Sequence, residues 1–290
     1  MDGFIILDKA CDMFSRTAGY RIARMFGEKK FGHIGTLDPM ATGVLPIAIG
    51  NATKMIPFIE EICPNKKEYL FGLKFGTETD SLDITGKVLS TSNVIPNDSE
   101  IKNALSKLIG NIEQVPPRFS AVHVNGKRAY ELARNGENID IKPRSIIIYE
   151  LEYTGKNREN EYNFRVVCSR GTYVRSLVRD IAKMCNTLAT TTYIRRTQTN
   201  GFDIKNAHTL DFLENLVNNG GDINEYLLMP DCALGDIPVI NLDDKETVFY
   251  KNGGFIKTDE HDGLVRIYCN DTFVGIGRIK NGLIHPKRTI

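Results

Sequence analysis

"FGHIGTLDPMATGVLP", residues 31–46, sets one aspartate, Asp38, among glycines, threonines and apolar residues, with proline directly after it. An aspartate beside proline is ordinarily a turn or cap residue whose carboxylate satisfies nearby backbone N–H groups. The setting raises Asp38 above that. Gly32, Gly35 and Gly43 let the backbone approach a ligand closely, and Pro39 stiffens the turn after the carboxylate. Rigid loops beside strands are where reactive side chains tend to be held. An ionised carboxylate also needs a cation to hold it, and the arginines far downstream are the best-placed candidates.

The surrounding pattern supplies the elements. "GFIILDK" (3–9) reads as a short apolar strand, and "SRTAGYRIARMFG" (15–27) as a helix opened by Ser15 and closed at Gly27. "KEYLFGLKFG" (67–76) alternates, so that Tyr69, Phe71, Leu73 and Phe75 share one face and Tyr69 points with the apolar side. "DSEIKNALSKLIG" predicts a second capped helix, Asp98 to Gly110, and "PRSIIIYELEY" with "EYNFRVVCS" a pair of strands. In the helix predicted from "GTYVRSLVRDIAKMC" (171–185), Val174, Leu177, Val178, Ile181 and Met184 cluster on one face. Arg175, Arg179 and Lys183 recur every four residues on another, which by periodicity alone is a solvated basic stripe. From about Gly235 the texture changes to short strands and turns, "VFYKNGGFIK" (248–257) among them. A small, mostly β C-terminal domain is expected there, with a first domain spanning 1–234 and the second 235–290.

Composition excludes several classes. With 290 residues, 41% hydrophobic and 25% charged, the chain is that of a soluble globular protein. "MDGFIILDKA" does not read as a signal peptide, and "GVLPIAIG" is broken by Pro46 and too short to span a bilayer, so a cytoplasmic location without membrane contact is expected. Cys11, Cys63, Cys168, Cys185, Cys232 and Cys269 lie far apart with no C-x-x-C pair, which argues against a zinc site or a disulfide framework. The expected chemistry uses neither thiol nor metal. Net charge is only +1, but residues 164–205 carry eight Lys/Arg against two acids, 206–262 three Lys against twelve Asp/Glu, and 263–290 five basic residues against one acidic. Two basic blocks flanking an acidic one suggest two polyanion-contacting surfaces.

At this point the motifs converge. "GHIGTLDPMATGVLP" resembles the signature loop of the TruB-type tRNA pseudouridine synthases, which isomerise the T-loop uridine of tRNA, conventionally position 55. "KKEYLFGLKFGTETDSLDITG" (66–86) is similar to the family's tyrosine-bearing strand and the acidic loop after it. "VPPRFSAVHVNGKRAYELARNG" (115–136) is similar to its RNA-gripping insertion, placed at about 115–145. "CSRGTYVRSLVRDIA" and "YIRRTQTNGF" resemble its arginine motif and closing strand, and the C-terminal stretch resembles a PUA-type RNA-binding domain. The resemblance runs essentially from end to end.

It implies an α+β fold: a mixed, mainly antiparallel sheet flanked by helices, plus the small β-rich PUA-like domain. It makes Asp38 the catalytic aspartate, proposed in the family to attack ribose C1′ or otherwise stabilise glycosidic cleavage. Arg175 becomes the arginine paired with that carboxylate, and Tyr69 the tyrosine that stacks on the target base and is a candidate for the proton abstraction. His33, Tyr173 and Ile194 are placed in the pocket for the flipped uridine, although local reading makes His33 an ordinary loop histidine. The isomerisation involves no net redox change or hydrolysis, and an aspartate with an ordinary pKa of about 3.9 is already ionised, so no cofactor is expected. The implied partner is tRNA, through its T-arm stem-loop, with the protein acting as a monomer and without guide RNA. The other readings are a non-catalytic tRNA-binding or tRNA-folding module, and a guide-RNA-dependent relative acting on ribosomal RNA. One departure concerns the N-terminus: the family usually shows Lys-Pro-x-Gly, whereas "DKACDMFS" keeps Lys9 but has Ala10 and Asp12 at the Pro and Gly positions. In "VRDIAKMC", Ala182 replaces a common glycine, which a helix tolerates.

Overall fold

The strand Gly3–Lys9 is buried at six of its seven positions, the pattern of an interior strand with both faces covered. The structure, a computed structural model, describes residues 1–63, 66–124, 126–137, 139–157 and 159–290. The chain divides into two compact units, Met1–Pro39 with Val44–Pro64 and Asn200–Ile290, and Met40–Gly43 with Asn65–Thr199.

In the first unit, Gly3–Lys9 pairs in parallel with His208–Thr209, and Phe31–His33 pairs antiparallel with the end of Thr42–Ile49. The helix Ser15–Met25 turns Ala18, Gly19, Ile22 and Ala23 inward. A Cβ on Gly19 would lie 2.8 Å from the Phe31 ring, so glycine sets how closely this helix approaches the strand. The helix opens at Ser15 as expected, with Phe14 at the cap position making no side-chain hydrogen bond and the Ser15 hydroxyl pairing with Leu37. The C-terminal part is a five-stranded sheet in the order Val239–Asn241, Gly263–Cys269, Thr272–Lys280, Leu283–Thr289, Ile256–Lys257. "VFYK", expected among the strands, is instead the end of the helix Asp244–Lys251, whose start is fixed by a capping box between Asp243 and Glu246. Phe273 and Ile276 of this sheet share a buried core with Phe4, Val44 and Ala48. The C-terminal sheet is thus packed into the unit's core.

In the second unit, five strands run Ala189–Thr199, Lys66–Phe75, Tyr162–Ser169, Arg144–Lys156 and Gly110–Gln114, each antiparallel to the next. The predicted alternation holds: Tyr69, Phe71, Leu73 and Phe75 are all buried, and Phe71 stacks on Phe164 at 5.2 Å between ring centroids. The helix Val174–Met184 buries Val174, Leu177, Val178 and Ile181, but also Arg175. The solvated stripe therefore loses its first member. The other predicted helix is Asp98–Ser106, shorter than expected, and its cap is Asn97, whose side chain accepts from the Ser99 and Glu100 N–H groups. The stretch resembling the RNA-gripping insertion forms a hairpin, His123–Val124 with Lys127–Arg128, and the helix Ala129–Arg134 over a small core of Val122, Ala129 and Ile141. Asn125 and Asn138, which fall in that insertion, lie outside the described residues. Mixed strand directions with flanking helices and a β-rich C-terminal part make the fold α+β. No helix among the described residues is long and apolar enough to cross a membrane.

Candidate active site

Asp38 is half-buried in the loop between the strands Phe31–His33 and Thr42–Ile49, and its neighbours on both sides are tied down. Ser15 Oγ accepts from the Leu37 N–H and donates to the Leu37 carbonyl, both at 3.0 Å. Lys9, only 1% exposed, donates from Nζ to the Pro39 carbonyl at 3.0 Å, to Ala10 at 2.9 Å and to Met13 at 2.8 Å. Removing an ammonium from water is expensive, and these carbonyls replace its hydration. The loop is therefore clamped one residue before and one residue after the carboxylate. His33, at the end of its strand, lies 2.9 Å from Thr36 through Nε2 and Oγ1, so it braces the same loop.

The missing Pro and Gly near Lys9 are resolved locally. Asp12 adopts a left-handed backbone, φ +59°, the conformation glycine accommodates most easily and aspartate tolerates better than most residues. The turn whose carbonyls receive Lys9 is thus built by a strained Asp12. At the far side of the loop Gly43 has φ +101°, and a Cβ there would lie 2.1 Å from the Arg196 carbonyl oxygen. Only glycine fits that approach.

The remaining predicted residues belong to the second unit. Tyr69 and Ile194 lie on neighbouring strands: Tyr69 is paired with Arg196 and Ile194 with Phe71. Directly paired residues share a face, so Tyr69, Phe71, Ile194 and Arg196 form one surface. Ile194 is 4% exposed and contributes apolar wall. Arg196 is fully buried, and its guanidinium hydrogen-bonds to Tyr69; burial pushes the guanidinium pKa down, and Tyr69 opposes the shift.

Arg175 is held by the acidic loop. Nη1 donates to the Ser81 carbonyl and Nη2 to the Phe119 carbonyl, each at 2.9 Å. Nη1 also lies 3.5 Å from Asp83 Oδ2, with both side chains nearly buried. Asp83 is itself oriented by Ser81 Oγ at 2.7 Å, the Thr85 N–H at 3.0 Å and Thr85 Oγ1 at 2.6 Å. Tyr173 precedes the helix carrying Arg175; its N–H donates to Gln114 Oε1 at 2.8 Å, and its ring packs on the Val122, Ala129 and Ile141 cluster. Of the predicted set, His33 and Asp38 thus belong to one unit, and Tyr69, Tyr173, Arg175 and Ile194 to the other.

Sequence reading did not single out Ser15, Asp83 and Arg196, which hold Leu37, Arg175 and Tyr69. Each has a signal only in hindsight of the fold: a serine at a helix start, an aspartate in a polar loop and an arginine in a strand are individually ordinary. Among the described residues there is no grouping of three or more His, Cys, Asp or Glu that could hold a metal ion.

Comparison with known proteins bears on the family. The family model of the TruB family pseudouridylate synthase N-terminal domain matches residues 23–174, and that of the pseudouridine synthase II TruB C-terminal region matches 238–290. Curated relatives called tRNA pseudouridine synthase B include one from Caulobacter vibrioides, 36% identical and covering 99% of this chain and 96% of its own length. The Aquifex aeolicus relative is 37% identical over the whole of both chains. Among solved structures, a chain of an H/ACA ribonucleoprotein bound to a substrate RNA containing 2′-deoxyuridine has a TM-score of 0.70 at 21% identity, covering 99% of this chain and 84% of that one. At that identity the likeness concerns the fold. With both ends of the sequence matched and full-length relatives above one third identity, the chain belongs to the TruB family of pseudouridylate synthases.

Proposed function

We propose that this enzyme converts the T-loop uridine at position 55 of tRNA to pseudouridine, without guide RNA, with Asp38 as the nucleophile. The supporting observation is the double clamp on the Asp38 loop by Lys9 and Ser15, which presents one carboxylate in a fixed position. In this reading the target uridine leaves its stack, with unstacking costing a few kcal/mol, and Tyr69, Ile194, Tyr173 and His33 take the base-contacting roles that the family resemblance implies for them. Asp38 attacks ribose C1′ as the N1–C1′ bond breaks, and the uracil anion departs and turns. C5 then joins C1′ as the carboxylate is displaced, and the C5 proton is taken up by a base. Tyr69, its hydroxyl against the buried Arg196, is suited to accept that proton, and one proton returns to N1, so the product is an isomer of the substrate. Arg175 takes the role of the arginine that, by the family resemblance, supplies positive charge to the catalytic carboxylate. The C-terminal sheet, residues 235–290, serves as a PUA-like RNA-binding domain, and the protein works as a cytoplasmic monomer.

The test is to incubate the purified protein alone with an unmodified tRNA or a T-arm stem-loop and to map pseudouridine. One modified uridine in the T loop is expected, abolished in Asp38→Asn while RNA binding is kept. Product at the normal rate from that variant would overturn the nucleophile assignment. No product from the wild type with tRNA still bound would favour a binding or folding module, and product only with a guide RNA added would favour the guide-dependent relative.

A further inference from the structure

In the first unit, a surface recess of about 210 Å³ is lined by Lys54, Lys251, Lys287 and Arg288, with Tyr250, Gly253, Pro286 and Thr289 completing its wall. No carboxylate lines it, although residues 206–262 carry twelve Asp/Glu against three Lys and one of those three is Lys251. Among the described residues none of the four cations is ion-paired. Lys54 is anchored by its ammonium to the Thr289 carbonyl at 3.0 Å, which joins an early segment of the chain to the last strand. Tyr250 is fully buried. Its hydroxyl lies by the main-chain N–H of Lys287 and finds no acceptor for its own proton.

Four like charges around one recess repel each other, and an anion seated between them removes that cost. A phosphate group matches the size and sign of the lining, three lysines and an arginine able to donate in a fork. None of these residues belongs to the Asp38 loop or to the Tyr69 and Arg175 surfaces. We propose that the recess seats a phosphodiester group of the RNA substrate, an affinity contact distinct from the groups that carry out the isomerisation. The proposal rests on the reading of the substrate as tRNA.

The experiment uses the full chain, because Phe273 and Ile276 pack into the common core and a truncation would expose it. Lys251→Glu combined with Arg288→Glu changes two exposed side chains of the recess. Lys257→Glu combined with Lys280→Glu makes the same charge change at exposed positions outside it. Binding of unmodified tRNA is measured over a salt series for both, with thermal midpoints as a check on folding. For the recess variant, affinity falls about tenfold or more and the slope of log K against log salt decreases by about one to two, as expected for lost phosphate contacts. Its kcat at saturating tRNA stays within about twofold of wild type, and the control variant loses no more than about threefold in affinity. Equal losses in the two variants would reduce the effect to the general field of the protein and overturn the site, as would an unchanged affinity and slope. A wild-type protein that binds tRNA but forms no pseudouridine would overturn the proposed reaction and leave the recess decided by the binding data.

Discussion

Ser15 Oγ satisfies both main-chain groups of Leu37, accepting from its N–H and donating to its carbonyl at 3.0 Å each, and so fixes the residue before Asp38 from a helix start more than twenty positions away. Ser15→Ala leaves a buried N–H and a buried carbonyl without partners, which costs about 1–3 kcal/mol. The expected outcome is a lower urea midpoint together with a reduced single-turnover rate and unchanged tRNA affinity. A variant with normal rate and lowered stability would show that the clamp is structural only.

Arg175 and Asp83 form a nearly buried pair at 3.5 Å. Breaking such a pair by removing one partner costs about 3–5 kcal/mol, because the other charge stays buried and uncompensated. Arg175→Met and Asp83→Ala should therefore each destabilise strongly, while the double variant loses much less than the sum, with a coupling above about 1 kcal/mol. Chemical unfolding of the three variants measures it, and additive losses would show that the two charges act independently.

Asp12 occupies a left-handed backbone, φ +59°, on an exposed turn. Asp12→Gly relieves the strain at some cost in unfolded-state entropy, for a net gain of up to about 1 kcal/mol, whereas Asp12→Val loses about 1–2 kcal/mol because a branched side chain is poorly accommodated there. Thermal midpoints of the two variants should move in opposite directions.

Burial raises the Asp180 carboxyl above its ordinary 3.8, an effect that the adjacent Arg179 offsets only in part. A raised pKa in the folded state means that folding favours the protonated form. The associated stability is complete below the unfolded value and is lost as pH rises through the folded one, so at neutral pH the buried carboxylate is a net burden. Asp180→Asn should raise the unfolding free energy more at pH 7 than at pH 3. Equal differences at the two pH values would mean that the ionisation carries no stability.

Much of the site was legible along the chain because its motifs are local. Tyr69 in an alternating strand and the paired strands around 143–169 follow from short-range periodicity, whereas Arg175 reads locally as part of a solvated stripe and takes its expected role only from the resemblance carried by the motifs. The helix over Asp244–Lys251 was missed because the glycines just after it outweighed the Asp243 to Glu246 capping box.

Residue order alone was enough for the family resemblance, and through it for the kind of fold, since the motifs depend on side-chain type and near-neighbour spacing. The three-dimensional arrangement supplied what spacing cannot carry. Ser15 at a helix start pairs with Leu37, Lys9 reaches Pro39, Arg175 leaves the solvated stripe for Asp83, and Lys54 joins Lys251 and Arg288 around one recess. Each of these links groups far apart in the chain, and a polar side chain takes the partner that burial leaves it, which is settled only when distant segments pack together.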